Sequence, residues 1–247
     1  MIVIKIAENI VKADYIYFIF DGISPDQMTA PITATLFING SAAAKLENYT
    51  VEANLRGILQ TATDPTLIAL IHKTLLYGSA AQGFETNENP IIDKGGLDAS
   101  GATYNADDAM SLQGNSNSNP IRISAVGVHF DRYNSYYVKI YVPNTQDFVS
   151  LVVDGVEYGL ADMVKLDGGY YQFYFGAVDA TAFDTRVTID LNSTEGTVTR
   201  LTYSINAYAY AVSQDANADE SMKALAAALY QYGQAAEAYY NANKPKA

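Results

Sequence analysis

Two histidines, one run of alternating oxygen ligands and twenty tyrosines are the residues of this chain with chemistry to offer. His129 stands two residues before Asp131 in GVHFD, and an imidazole held by a carboxylate is the working part of a general base. The nucleophile such a base would serve is missing, since the chain has no cysteine and no serine lies in a G-x-S-x-G elbow. His72 falls inside an apolar helical pattern whose second occurrence has Ala227 at that place, so a polar patch on a helix accounts for it. Asp215, Asn217, Asp219 and Ser221 put an oxygen at every second residue, as the first half of a calcium loop does. The spacing then breaks, with Glu220 where the glycine belongs and Ala226 where the bidentate glutamate belongs. A turn that caps a helix explains these four residues, and neither a metal nor a cofactor is expected.

The tyrosines are a different matter, because they fall in a strand pattern. If Tyr136, Val138, Ile140 and Val142 face inward, then Tyr137, Lys139 and Tyr141 face outward, with Tyr174 on a neighbouring strand. Flat exposed rings stack on sugars or on another protein, which makes Tyr137, Tyr141 and Tyr174 the candidate ligand-binding residues. An ordinary tyrosine-rich sheet face is the plain alternative.

The elements that must carry these residues occur twice. DPTLIALIHKTLLYGSAAQGF, residues 64–84, returns as DESMKALAAALYQYGQAAEAY, residues 219–239. Leu67, Ile71, Leu75, Gly78 and Ala81 fall on one helical face, and Met222, Leu225, Leu229, Gly233 and Ala236 repeat that face. Asp64 and Asp219 are placed to cap the free amides, with Pro65 at the first helical position. A glycine inside a helix costs about 1 kcal/mol against alanine. Gly78 and Gly233 therefore predict a close backbone approach, with the small-residue seam against the unit's own β layer.

The repeat extends upstream at a near-constant offset (233 − 78 = 155), which pairs Phe18 and Phe20 with Phe173 and Phe175, and Leu36 with Leu191. It slips to 154 at Tyr49 and Tyr203. YIYFIF and YYQFYF read as half-buried strands. ITATLFINGSAAAKLENYTV reads as a hairpin about Asn39-Gly40, and VTIDLNSTEGTVTRLTYSI as its counterpart about Gly196. Thr50 and Ser204 then cap short helices over 51–61 and 205–214. The second unit has more: IRISAVGVHF, YYVKIYV and FVSLVVDGVEY add about three strands, whereas MIVIKIAEN can supply only one. Asn87 to Pro120, rich in Gly, Asn, Ser and Asp, reads as a linker.

The expected fold is therefore α+β, with two tandem repeats, each an antiparallel β-sandwich-like sheet followed by a helical hairpin packed on it. The first unit, short of N-terminal strands, spans 1–88, the linker 89–120, the complete second unit 121–242 and a tail 243–247.

The formal net charge of −12, with 15 basic residues scattered along the chain, repels phosphate backbones and anionic lipid. Nucleic-acid binding is thereby disfavoured, and no stretch is apolar for long enough to insert in a membrane. The first residues do not read as a signal peptide as they stand. Tyrosine with Asn, Thr and Gly, and few lysines, is the profile of a β-rich extracellular protein.

The tyrosine, the Ser/Thr cap, the short helix and the helix ending YGSAAQGF or YGQAAEAY together resemble a module of large secreted or cell-wall proteins of anaerobic gut Firmicutes. In that module a β-sandwich-like segment precedes a helix ending Y-G-x-A-A-Q-x-Y. Gln82 keeps the module's glutamine, while Glu237 departs from it. The resemblance implies an extracellular location at the cell surface and a non-catalytic structural or adhesive role. Two alternatives stand beside it. One is a self-assembling filament subunit completed by strand donation between chains, with Met1 to Ala7 or Ala109 to Ile123 as donor. The other is a carbohydrate-binding module using the tyrosine face. The expected partners are copies of the chain, other surface proteins or a glycan.

Overall fold

The computed structural model describes residues 10–12, 15–17, 22–86, 92, 101–130, 134–196 and 198–244. Four sequence features lie outside these residues: the Met1 to Ala7 strand, Phe18 and Phe20, Asp131, and most of the linker's first half.

The chain is α+β, with antiparallel sheets throughout. A two-stranded ribbon, β1 (Ile10–Lys12) and β2 (Tyr15–Tyr17), comes first. A second ribbon follows, of β3 (Ile32–Ile38) and β4 (Ser41–Tyr49). Asn39 and Gly40 at its tip both adopt positive φ, 51° and 81°, which gives the turn a twist that suits a two-residue hairpin. Helices α1 (Val51–Leu59) and α2 (Pro65–Thr86) complete this part.

The larger part is a two-layer β structure. After β5 (Ser111–Gln113), strands β6 (Arg122–Phe130), β7 (Asn134–Tyr141), β8 (Phe148–Val153), β9 (Val156–Tyr158), β10 (Val164–Lys165), β11 (Tyr170–Phe175), β12 (Val187–Ser193) and β13 (Val198–Tyr203) divide between two sheets. One has the order β10-β11-β7-β6 and the other β5-β13-β12-β8-β9. Their inner faces meet in one core that includes Tyr136, Val138, Ile140, Leu151, Phe173, Ile189, Leu191, Leu201 and Tyr203. Helices α3 (Ile205–Gln214) and α4 (Glu220–Asn243) follow, and Leu225, Ala228 and Leu229 of α4 join that core. Among the described residues no helix is long and apolar enough to cross a membrane.

Capping repeats in detail. Thr50 Oγ1 accepts from the Ala53 amide at 3.0 Å, and Ser204 Oγ from the Ala207 amide at 3.0 Å. Asp219 Oδ1 accepts from the Met222 amide at 2.7 Å, and Asp64 Oδ1 from the Thr66 amide at 2.8 Å.

Two expectations need correction. The two glycines do not face a sheet, although Ala81, Leu225 and Leu229 on the same helical faces join the β core; each glycine faces the short 3-10 turn that leads into a hairpin. A Cβ on Gly78 would come 2.7 Å from Met28 Sδ and 3.0 Å from the Pro25 carbonyl, and one on Gly233 would come 2.5 Å from Phe183 Cδ2. Met28 and Phe183 are themselves related by the offset, and their carbonyls accept from the Glu52 and Asn206 amides, each at 3.0 Å. The second correction concerns the linker, whose second half is folded. Ser111–Gln113 pairs with β13, Leu112 facing Leu201, and Tyr230 OH donates to Asp108 at 2.8 Å while accepting from the Asn105 amide. The segment 109–123, a candidate donor to another chain, is thus engaged on its own second unit.

Candidate functional site

The tyrosine face is where the strand pattern placed it. Tyr136, Val138, Ile140 and Val142 are buried, and Tyr137, Lys139 and Tyr141 alternate outward. Strand pairing sets Tyr137 opposite Tyr174 and Tyr141 opposite Tyr170, so Tyr137, Tyr141 and Tyr174 share one sheet face. The rings are already engaged. Tyr137 lies over Gly127, where a Cβ would meet its ring at 2.6 Å. The Arg122 guanidinium sits 4.1 Å above the Tyr141 ring, and Lys139 Nζ 4.4 Å above Tyr170. His129 packs edge-on to Tyr174 at 5.1 Å, and Gln172 donates to the Tyr174 hydroxyl at 2.6 Å. Each such cation over a ring is worth about 0.5–1 kcal/mol at an exposed site, and a sugar seeking that ring face must displace it.

The acidic run near residue 219 is a pair of turns. Asp215 Oδ1 accepts from the Asn217 amide at 2.8 Å and Asp219 Oδ1 from the Ser221 hydroxyl at 2.8 Å. The bonds donated by Met222 and Ser221 hold the Asp219 carboxyl below its usual range, and those from Thr66 do the same for Asp64. These carboxylates terminate helices. His72 is half-buried on α2, far in sequence from the exposed His129. Among the described residues, no three His, Cys, Asp or Glu side chains converge as a metal site would require.

A groove of about 370 Å³ runs between α2, α4 and the turn at Ala180–Ala182. Tyr77 and Tyr232 stack in it with centroids 5.4 Å apart, and Asp179 is the one carboxylate among its described lining residues. The Tyr77 hydroxyl donates to Asn134 Oδ1 at 3.1 Å, and burial pushes its pKa far above that of a free tyrosine, so it cannot serve as a base near neutral pH.

The surface that sequence reasoning missed is the β3–β4 hairpin. Ala34 pairs with Leu46 and Leu36 with Ala44, which puts all four on one face. The offset carries this register onto β12–β13, where Ile189 pairs with Leu201 and Leu191 with Thr199. Burial differs sharply between the two. Leu191 and Leu201 are 1% and 0% exposed beneath the facing sheet, whereas Leu36 and Leu46 are 39% and 49% exposed. Phe37 and Ile38 beside them are 62% and 56% exposed. Fully burying one leucine is worth about 1.5–3 kcal/mol, so this face forgoes stabilisation that its counterpart realises. The sequence signal was the strand deficit of the first unit. It pointed to a missing layer, but not to which face that layer would have covered.

No family profile, curated protein or solved structure matches this chain.

Proposed function

We propose that the chain is a non-catalytic structural module made of two copies of one β-plus-helical-hairpin unit, the first left open for a β layer supplied by another polypeptide. The observation that carries this reading is the apolar face of Leu36 and Leu46, exposed where its offset counterparts Leu191 and Leu201 are buried. Support for duplication comes from the pairing that Ala34 and Leu36 share with Ile189 and Leu191, the matched caps at Thr50 and Ser204, and the matched glycine contacts with Met28 and Phe183. An uncovered strand edge and apolar face are the means by which β-rich proteins add strands from a partner. The tyrosine-rich, lysine-poor composition and the resemblance to surface modules favour a place outside a bacterial cell, in an adhesive or scaffolding role. A glycan-binding role for Tyr137, Tyr141 and Tyr174 has weaker support, because Tyr137 and Tyr174 pack on each other and Arg122 lies over Tyr141, which leaves Tyr174, 46% exposed, as the most open ring.

Hydrogen exchange on the dilute, monomeric full chain tests this reading. Amides of Ile32–Ile38 should exchange far faster than those of Val187–Ser193, because a strand without a covering layer opens locally at low cost. Equal protection of the two strands in a monomer would show the first hairpin to be closed.

A further inference from the structure

Resting on the open-hairpin reading, we infer that the partner is a second copy of this chain, packed hairpin to hairpin, apolar face against apolar face, as a two-layer β structure about a two-fold axis. Three observations support self-association over a foreign partner.

The first is shape. Leu36 faces Ala44 across the ladder and Ala34 faces Leu46, so large and small side chains alternate diagonally. The offset counterparts Ile189 and Thr199 are bulkier than Ala34 and Ala44. The exposed face therefore has hollows where the buried one has side chains. A face whose knobs and hollows alternate is complementary to its own copy turned through a two-fold, each leucine entering a partner's alanine hollow.

The second is charge. A chain of net charge −12 repels its own copies, yet the hairpin 32–49 holds one lysine and one glutamate, Lys45 and Glu47, and these pair with each other. Its local charge is zero, so two hairpins meet without direct repulsion. Strand β3 carries no charged residue and no proline between Ile32 and Ile38, the two devices that usually keep an exposed strand from associating.

The third is layer geometry. In the second unit the pairs that correspond to Ala34–Leu46 and Leu36–Ala44 are covered by a facing sheet, and Ile189, Leu191 and Leu201 there are fully buried. Two stacked hairpins reproduce that layering at the usual sheet separation of about 10 Å.

Sedimentation equilibrium of the full chain across a range of concentrations reads the mass directly. Two copies are expected at high concentration, with association strengthening as salt screens the remaining charge. Leu36→Lys and Leu46→Lys should each return the chain to monomer with unchanged circular dichroism. Because the chain has no cysteine, an Ala44→Cys variant treated with a bifunctional thiol reagent long enough to span stacked sheets can be joined only to another copy. Cross-linked dimer supports face-to-face packing. A chain that stays monomeric at every concentration and does not cross-link overturns the inference. If the hairpin amides of that monomer still exchange fast, the open-unit reading stands and only the identity of the partner falls. If they exchange slowly, both fall.

Discussion

At the scale of single residues, the glycines are the most constrained positions in the helices. Adding a methyl to Gly233 would drive it into Phe183, with Cβ and Cγ at 3.1 Å as well as Cδ2 at 2.5 Å, whereas at Gly78 the nearest atoms are the flexible ends of Met28 and Ile92. Overpacking of this kind costs about 1–3 kcal/mol, against a gain of about 1 kcal/mol from replacing a helical glycine by alanine. Gly233→Ala is therefore expected to lower the urea midpoint, and Gly78→Ala to lower it less, since a thioether chain yields more readily than a ring attached close to its backbone. The buried tyrosines set the alkaline limit. Burial raises Tyr136 and Tyr208 to about 12, and raises Tyr203 further, from an ordinary value of 10. A hydroxyl whose pKa is raised on folding contributes stability that is fully present below pH 10 and is lost as pH climbs through the folded value. Tyrosinate absorbance should accordingly rise in two stages, exposed rings first, with the second stage coinciding with loss of circular dichroism near pH 12. A single smooth titration centred at the ordinary value would contradict the burial of these hydroxyls.

At the scale of elements, much of the fold was legible in local spacing. Caps at Thr50, Ser204, Asp64 and Asp219, the Asn39-Gly40 turn and the outward alternation of Tyr137, Lys139 and Tyr141 all follow from short-range rules, and the structure has them. Contacts that depend on tertiary packing were not legible. Nothing local distinguishes a glycine facing a sheet from one facing a turn, so the seam's partners, Met28 and Phe183, had to come from the fold. The linker misled for a related reason: its polar, glycine-rich composition signals weak intrinsic structure, but Leu112 and Tyr104 gain order from β13 and from Tyr230. The tyrosine face was correctly placed as a face. What composition could not convey is that Arg122 lies over Tyr141 and Lys139 over Tyr170 within it.

At the scale of the whole molecule, the two parts that the proposed duplication pairs differ in one respect. Among the described residues, the second has two sheets whose core also takes in Leu76, Tyr77 and Ala81 of α2, and the first has two ribbons and a helix pair. A separate small core of Met28, Ile71, Leu75 and Ile92 holds the first helix pair to its turn, and the hairpin stands outside that core. The helices α2 and α4 join the two parts through the stacked Tyr77 and Tyr232, themselves related by the offset. On this account the second copy supplies stability and the first supplies an unsatisfied surface. The measurement that bears most directly on it is a pair of matched truncations read by urea unfolding of the dilute monomer. Leu191→Ala should cost about 2–5 kcal/mol as a buried leucine does, while Leu36→Ala, at the corresponding place, should stay within about 0.5 kcal/mol, as exposed substitutions do. Equal losses at the two positions would mean that the first hairpin is as fully covered as the second, and that the open unit does not exist.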